Sequence, residues 1–318
     1  MSAITLHNIT KTYNKKSVLA VDDISFSVEE GELFGLIGPD GAGKTSIFRI
    51  LTTLFLADKG TASVVGYDVV KDFHKIRGIV GYMPGRFSLY QDLTVEENLN
   101  FFATIFGTTI EENYDQIKDI YEQIEPFKNR RAGKLSGGMK QKLALCCALV
   151  HKPEVLFLDE PTTGVDVVSR KEFWDMLQRL KQEGITIMVS TSYMDEATLC
   201  DRIGLIIGGK ILSMDTPAKI VEAYPEKLFA VKSPKMHQLI RDLRGFDSIL
   251  NCYASGEYIH LSFKDNNKEN ENQLKNYLKD KGQSDLVLKA TTPTVEDCFI
   301  RLLKEPLADS VQPLANNK

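Results

Sequence analysis

Apolar and polar positions alternate through residues 4–13 (ITLHNITKTY) and again through 18–28 (VLAVDDISFSV), the two-residue period of half-buried strands. The next run, ELFGLIG at 32–38, is apolar without alternation, as a strand covered on both faces requires. The period then changes. Ile47, Ile50, Leu51, Leu54 and Phe55 fall at i, i+3, i+4, i+7 and i+8, one face of a helix that starts directly after a glycine-rich turn. From about Arg86 to Leu149 the pattern is mostly helical and includes VEENLNFFATIF and YDQIKDIYEQI. A buried strand (VLFLD), a helix carrying Phe173, Trp174, Leu177 and Leu180 that Gly184 can close, a strand (ITIMVST) and a hairpin over 203–213 turned at Gly208-Gly209 follow. Beyond about Tyr224 the order becomes strand (KLFAVK), helix (KMHQLIRDL), two strands (ILNCYAS, YIHLSFK), helix (ENQLKNYLKD), strand (DLVLKA) and a last helix (TVEDCFIRLLK). That βαββαβ order predicts a small α+β, ferredoxin-like domain. Residues 266–272 read as a solvated polar loop.

The expected division is therefore a main domain over 1–224 with a helical insertion at about 86–149, an appendage over 225–305, and a disordered tail over 306–318. A length of 318 residues accommodates one large α/β domain and a smaller one, and 43% hydrophobic with 26% charged residues supports a sizeable core. The net charge of −4 argues against a nucleic-acid surface as the main business. The best apolar stretch, Ile47 to Ala57, is broken by Arg49, and MSAITLHNIT lacks the charged start and apolar core of a signal peptide. These features predict a cytosolic protein, so a membrane process it served would draw its spans from another polypeptide. The cysteines show no C-x-x-C spacing and the histidines no ligand cluster; Cys146 and Cys147, within LALCCALV, read as core.

Candidate chemistry begins where the third strand meets the helix. Gly38-Pro39-Asp40-Gly41-Ala42-Gly43-Lys44-Thr45, with Ser46 after it, fits a phosphate loop. Its glycines let backbone N–H groups turn inward around phosphates, Lys44 reaches the same oxygens, and the Thr45 hydroxyl can hold Mg²⁺. The following helix points its positive end at the same place. Downstream, the strand VLFLD ends in Asp159 and Glu160: Asp159 is expected to hold Mg²⁺ through water and Glu160 to polarise an attacking water. In Leu135-Ser136-Gly137-Gly138-Met139, Ser136 can cap a helix whose first-turn N–H groups the glycines leave bare, a second anion site. An ordinary glycine-rich helix start is the alternative, disfavoured by a position 92 residues after Lys44 and 23 before Asp159.

Taken in order, the phosphate loop, Leu135 to Met139, Val155 to Glu160, Gly164-Val165-Asp166 and Ser190 to Glu196 resemble the ATPase subunit of an ABC transporter. The resemblance implies an α/β P-loop NTPase of the ABC-ATPase fold, a RecA-like core with a β-rich subdomain and an inserted helical subdomain. It implies ATP and Mg²⁺ as cofactors and a separate membrane permease at whose cytoplasmic face the protein works. It also implies a dimer of cassettes, in which Leu135, Ser136, Gly137, Gly138 and Met139 close over the γ-phosphate bound by the opposite subunit. Tyr13 is similar to the aromatic that stacks on adenine, although a tyrosine at a strand end also has a structural reading. Asp166 matches the aspartate that touches the partner cassette, with a solvated helix start as the alternative.

Two positions depart from the family. Gly85 stands where a glutamine ligates Mg²⁺ and senses the permease, and Ser192 stands where a histidine bridges the γ-phosphate, the glutamate and the opposite subunit. Losing a positioned group of that kind slows chemistry by about 10²–10⁴-fold, so slow hydrolysis at Lys44 is expected. GPDGAGKT, AGKLSGGMKQKL, STSYMDEA and TTPTVEDCFIRLL are similar to the first cassette of the YbhF-type tandem ATPases, which serve ABC-2-type efflux pumps. That similarity implies an asymmetric pair with a companion cassette that carries the glutamine and histidine. A regulatory module that clamps on ATP with little turnover is the second reading; Gly85 and Ser192 favour it and Glu160 opposes it. ABC-type ATPases of DNA repair or translation fit worse: chromosome-organising members insert hundreds of residues of coiled coil where 92 stand here, and translation members carry two cassettes and a basic linker.

Overall fold

The computed structural model describes residues 1–14, 17–265 and 267–303; Asn266 and the expected tail over 306–318 lie outside them. The chain divides into two compact units, Met1–Pro217 and Ala218–Lys318.

In the first unit β1 (Ser2–Tyr13) and β2 (Val18–Glu29) pair antiparallel, burying Ile4, Leu6, Ile9, Ile24 and Val28 from their alternating faces. All five residues of β3 (Leu33–Ile37) are buried, as its unbroken apolar run demands. The loop over 38–43 leads from β3 into α1 (Lys44–Leu51). Next come β4 (Lys59–Val64), the short β5 (Tyr67–Asp68), α2 (Phe73–Ile79) and β6 (Val80–Met83). The insertion consists of α3 (Val95–Ile105), α4 (Tyr114–Tyr121) and α5 (Gly137–Leu149), with Thr94 and Glu97 closing a capping box at the start of α3. After it run β7 (Val155–Asp159), α6 (Val167–Gln182), β8 (Thr186–Thr191) and the hairpin of β9 (Arg202–Ile207) and β10 (Lys210–Asp215).

The expected apolar face of α1 is too long. Ile47, Ile50 and Leu51 are buried, but the helix stops at Leu51, and Leu54 and Phe55 are 51% and 38% exposed. The cause is local. Thr52 bonds back to the Phe48 carbonyl, Thr53 turns to a φ of 62°, and the N–H groups of Leu54 and Phe55 both fold onto the Arg49 carbonyl.

Two sheets carry the unit: antiparallel β2-β1-β4-β5, and β10-β9-β3-β8-β7-β6, in which only β9–β10 is antiparallel. In the second, β3 lies between β9 and β8; the chain leaves β3 for β6 at one edge and leaves the adjacent β8 for β9 on the other side. Its carboxyl end is thus a switch point, where ligands of open parallel sheets bind. The register sets Ile37 beside Thr191 and Asp159 beside Ser190, gathering three loops at that edge.

The second unit starts with α7 (Pro217–Glu222) at the division, then β11 (Leu228–Lys232), α8 (Met236–Arg244), β12 (Ile249–Ser255), β13 (Tyr258–Phe263), α9 (Asn270–Asp280), β14 (Val287–Thr291) and α10 (Val295–Leu302). The antiparallel order β12-β13-β11-β14 is that of a ferredoxin-like sheet, and Leu239, Leu243, Leu274 and Leu278 of α8 and α9 pack on it. Fully buried Asp297 fixes α10. It accepts hydrogen bonds from the Thr294 N–H at 2.7 Å, the Thr294 hydroxyl at 2.8 Å and the Tyr253 hydroxyl at 2.8 Å, and lies 2.7 Å from His260 Nδ1. Burial alone would raise its pKa, but these hydrogen bonds from His260, Thr294 and Tyr253 together hold it below 3.8. A depressed folded value means that its stabilisation is present above 3.8 and fades as the pH falls below it. Asp297→Ala removes the acceptor for all four donors at once and is expected to lower stability by about 2–4 kcal/mol, measured by urea denaturation at neutral pH. Among the described residues no helix is long and apolar enough to cross a membrane.

Candidate functional site

The loop over 38–43 is shaped by close approach. A Cβ on Gly38 would lie 2.1 Å from the Ile206 carbonyl oxygen, and Gly43 combines a φ of 108° with a Cβ position 2.2 Å from the Ala20 oxygen. Only glycine fits either place. The Gly38 N–H is tied to the Thr191 carbonyl at 3.2 Å, which brings the strand end before Ser192 against the loop.

Lys44 is 3% exposed. Its Nζ donates to the carbonyls of Gly38 at 2.6 Å and Pro39 at 3.0 Å, and lies 3.2 Å from Glu160 Oε1. A buried ammonium with a carboxylate beside it is a charged centre that phosphate oxygens can take over. Glu160 occupies a backbone region uncommon for a non-glycine residue, φ 52°, and its N–H donates to the Ser190 carbonyl and hydroxyl oxygens, each at 3.0 Å. Backbone strain of this kind is held only where the surroundings over-determine it, and it concentrates at functional sites. The Ser190 hydroxyl in turn donates to Asp159 Oδ1 at 2.6 Å. Ser190 therefore holds the Asp159 carboxylate and the Glu160 backbone, a role that sequence reasoning missed and that only the β7–β8 register reveals. Tyr82, on the strand beside β7, is pushed up to about 12 by burial and by the charge of Asp159, so it stays a neutral phenol.

Among the described residues no group of three His, Cys, Asp or Glu could hold a metal by itself. The Thr45 hydroxyl and the 2%-exposed Asp159 carboxylate are hard oxygen donors, the chemistry Mg²⁺ selects when it arrives on a nucleotide. Gly85 lies against the same corner: a Cβ there would be 3.0 Å from the Asp159 carbonyl oxygen and 3.7 Å from Glu160 Cβ. Tyr13 reaches the loop as well, its hydroxyl 3.1 Å from Ser46 Oγ. Loop, Lys44, Asp159, Glu160, Gly85 and Tyr13 thus converge, with Ser192 following the strand end tied to Gly38.

The segment Leu135 to Met139 belongs to a second cluster. Ser136 caps α5 by accepting from the Met139 N–H at 3.3 Å, and Ser136 and Gly137 are exposed. A Cβ on Gly138 would sit 2.7 Å from Ser169 Oγ, so the starts of α5 and α6 abut. Asp166 caps α6 by accepting from the Ser169 N–H at 3.0 Å, which holds its carboxyl below the usual carboxylate value. Beside it Val167 and Val168 are 79% and 69% exposed. This edge offers bare helix N-termini and apolar side chains, as a surface for another chain and its anion would.

A family model described as "ABC transporter" matches residues 21–163. The probable multidrug ABC transporter ATP-binding protein YbhF of Escherichia coli (strain K12) is 37% identical over 306 residues, 95% of this chain and 52% of that protein, so this chain spans about half the length of that relative. The doxorubicin resistance ATP-binding protein DrrA of Mycobacterium tuberculosis is 35% identical over 256 residues, 80% of this chain and 75% of that one. Among solved structures, a dimeric post-hydrolysis state of the ATP-binding cassette MJ0796 bound to ADP and Pi is similar with a TM-score of 0.61 and 25% identity, covering 67% of this chain and 98% of that one.

Proposed function

The chain belongs to the ATP-binding proteins of ABC transporters, and on that footing we propose that it binds Mg–ATP, pairs with a second cassette as it does so, and drives a membrane permease of the ABC-2 export type. The observation that carries this reading is the ion pair of Lys44 with Glu160 at 3.2 Å, at the carboxyl edge of β3 and β7. Phosphate oxygens arriving on the loop exchange for Glu160 on Lys44, and the released carboxylate can turn to a water. Thr45 and Asp159 would hold the Mg²⁺ that comes with the nucleotide, and that ion neutralises charge on the phosphates. Tyr13, at Ser46, would stack on the base. The capped end of α5 at Ser136 and the α6 start at Asp166 would face the second cassette, where the bare N–H groups meet its γ-phosphate.

Export is favoured by the relatives, one called a probable multidrug and one a doxorubicin resistance protein. A cavity of about 420 Å³, lined by Leu54, Met83, Pro84, Phe87, Ile105 and Phe106 among others, opens next to Gly85. Its apolar walls suit an apolar segment of the permease, working at the cytoplasmic face of a membrane.

The pair is asymmetric in this reading. Gly85 brings no side-chain oxygen to the Asp159 corner, and the hydroxyl of Ser192 is too short to bridge phosphate, Glu160 and partner. ATP at Lys44 is therefore turned over slowly, while Ser136, Gly137 and Gly138 complete a faster site on the companion. Restoring both groups tests this. Gly85→Gln combined with Ser192→His is expected to raise single-turnover hydrolysis by about 10²-fold. The glutamine Cβ needs only a few tenths of an ångström from the Asp159 carbonyl. An unchanged rate with ATP still bound would contradict the role given to these positions. The same two residues favour a second reading, a regulatory module that clamps on ATP without turnover; a parent chain with no turnover even when paired, and no gain in the double variant, would select it.

A further inference from the structure

Glu196 is an acid with no assigned role, yet it is 2% exposed and is held by two hydroxyl donors and one ion-pair partner from three separate segments, the loop after β7, the end of β8 and the start of α6. Its Oε1 accepts from the Thr162 hydroxyl at 2.7 Å and lies 3.7 Å from Arg170 Nε. Its Oε2 accepts from the Thr191 hydroxyl at 2.5 Å. Thr191 Oγ1 also accepts from the Tyr193 N–H at 3.0 Å, and the Arg170 guanidinium covers the Tyr193 ring at 4.0 Å. Both threonines are 1% exposed. Thr162 is two residues past Glu160, Thr191 and Tyr193 flank Ser192, and Arg170 closes the first turn of α6, which Asp166 caps.

We infer that Glu196 is a positioning residue that locks the Glu160 loop, the Ser192 loop and the start of α6 into one body, so that nucleotide at Lys44 moves the partner-facing end of α6. A carboxylate this buried must be compensated to persist, and each compensating group, the Thr162 and Thr191 hydroxyls and the Arg170 guanidinium, comes from a segment that reaches either the phosphate site or the partner edge. Interior packing alone would ask for an apolar side chain here. A charge shared by three segments instead transmits displacement, because moving one partner leaves the carboxylate undercompensated and draws on the other two. Arg170 is the outlet of this arrangement: it lies one turn before Trp174 on the same helix.

Trp174 is the chain's single tryptophan and is 3% exposed, so its emission reports on α6 alone. The test is titration with Mg–ATP, reading Trp174 fluorescence alongside affinity from competition with a fluorescent ATP analogue. Wild-type chain is expected to show a saturable Trp174 change. Glu196→Ala is expected to bind ATP within about threefold of wild type while losing most of that change, and Glu196→Gln, whose amide oxygen keeps one hydroxyl bond and whose NH2 can donate to the other hydroxyl, to recover at least half of it. Thr162→Val, a milder cut in the same link, is expected to lower the amplitude with affinity kept, and it serves should Glu196→Ala fail to fold. A full Trp174 response in these variants, or no response in wild-type chain that binds ATP, would overturn the inference. It rests on the ATP-binding reading, and failure there is distinct: wild-type chain would then compete for no analogue at all.

Discussion

Lys44→Ala is expected to weaken Mg–ATP binding by about 10²-fold, equivalent to about 2.7 kcal/mol. Two effects add. The variant loses a buried ammonium whose three contacts, to Gly38, Pro39 and Glu160, all lie within 3.2 Å, and bonds from such a charge to phosphate contribute about 1.5–3 kcal/mol. It also leaves the Glu160 carboxylate facing the incoming phosphates with no cation between them. Equilibrium dialysis with ATP checks the value, and an affinity within threefold of the parent would remove Lys44 from the phosphate site. The fold itself should tolerate the change, because Ile47, Ile50 and Leu51 anchor α1 independently of Lys44.

Glu160→Gln is expected to act on the other half of the cycle. Single-turnover hydrolysis at this site should fall by about 10²–10⁴-fold, the effect of losing a positioned base. ATP affinity should hold or rise, since the amide no longer competes for Lys44 as an anion. The backbone environment is preserved: the Glu160 N–H keeps its bonds to Ser190, and φ 52° is no harder for glutamine than for glutamate. Lys44→Ala and Glu160→Gln therefore separate binding from chemistry. Should the residual rate survive Glu160→Gln, turnover belongs to another group or to the companion's site.

The local parts of this architecture are written plainly in the chain. The glycine spacing of the phosphate loop is dictated by backbone contacts at Gly38 and Gly43, so it cannot vary without a clash. The unbroken apolar run of β3 and the βαββαβ order of the second unit also follow from periodicity. Other elements left weaker marks. β4, KGTASV, buries only Ala62 and Val64, and β6 is four residues long, so neither has room for a clear period. The end of α1 is hidden from periodicity because Leu54 and Phe55 continue the helical spacing, while the turn at Thr53 is set by hydroxyl and carbonyl bonding that hydropathy does not record. The Lys44–Glu160 pair, the Ser190 link to Asp159 and the Glu196 cluster depend on which strands become neighbours. Register decides them, and no short window of sequence carries that information.

The most direct test of the account is sedimentation velocity of the Glu160→Gln chain with its co-expressed second cassette, with and without Mg–ATP. ATP is expected to convert separate cassettes to a stable pair, and Ser136→Arg, which crowds the bare helix end, to abolish that conversion while leaving ATP bound at Lys44. Cassettes that stay apart in saturating ATP, or a pair indifferent to Ser136→Arg, would contradict it.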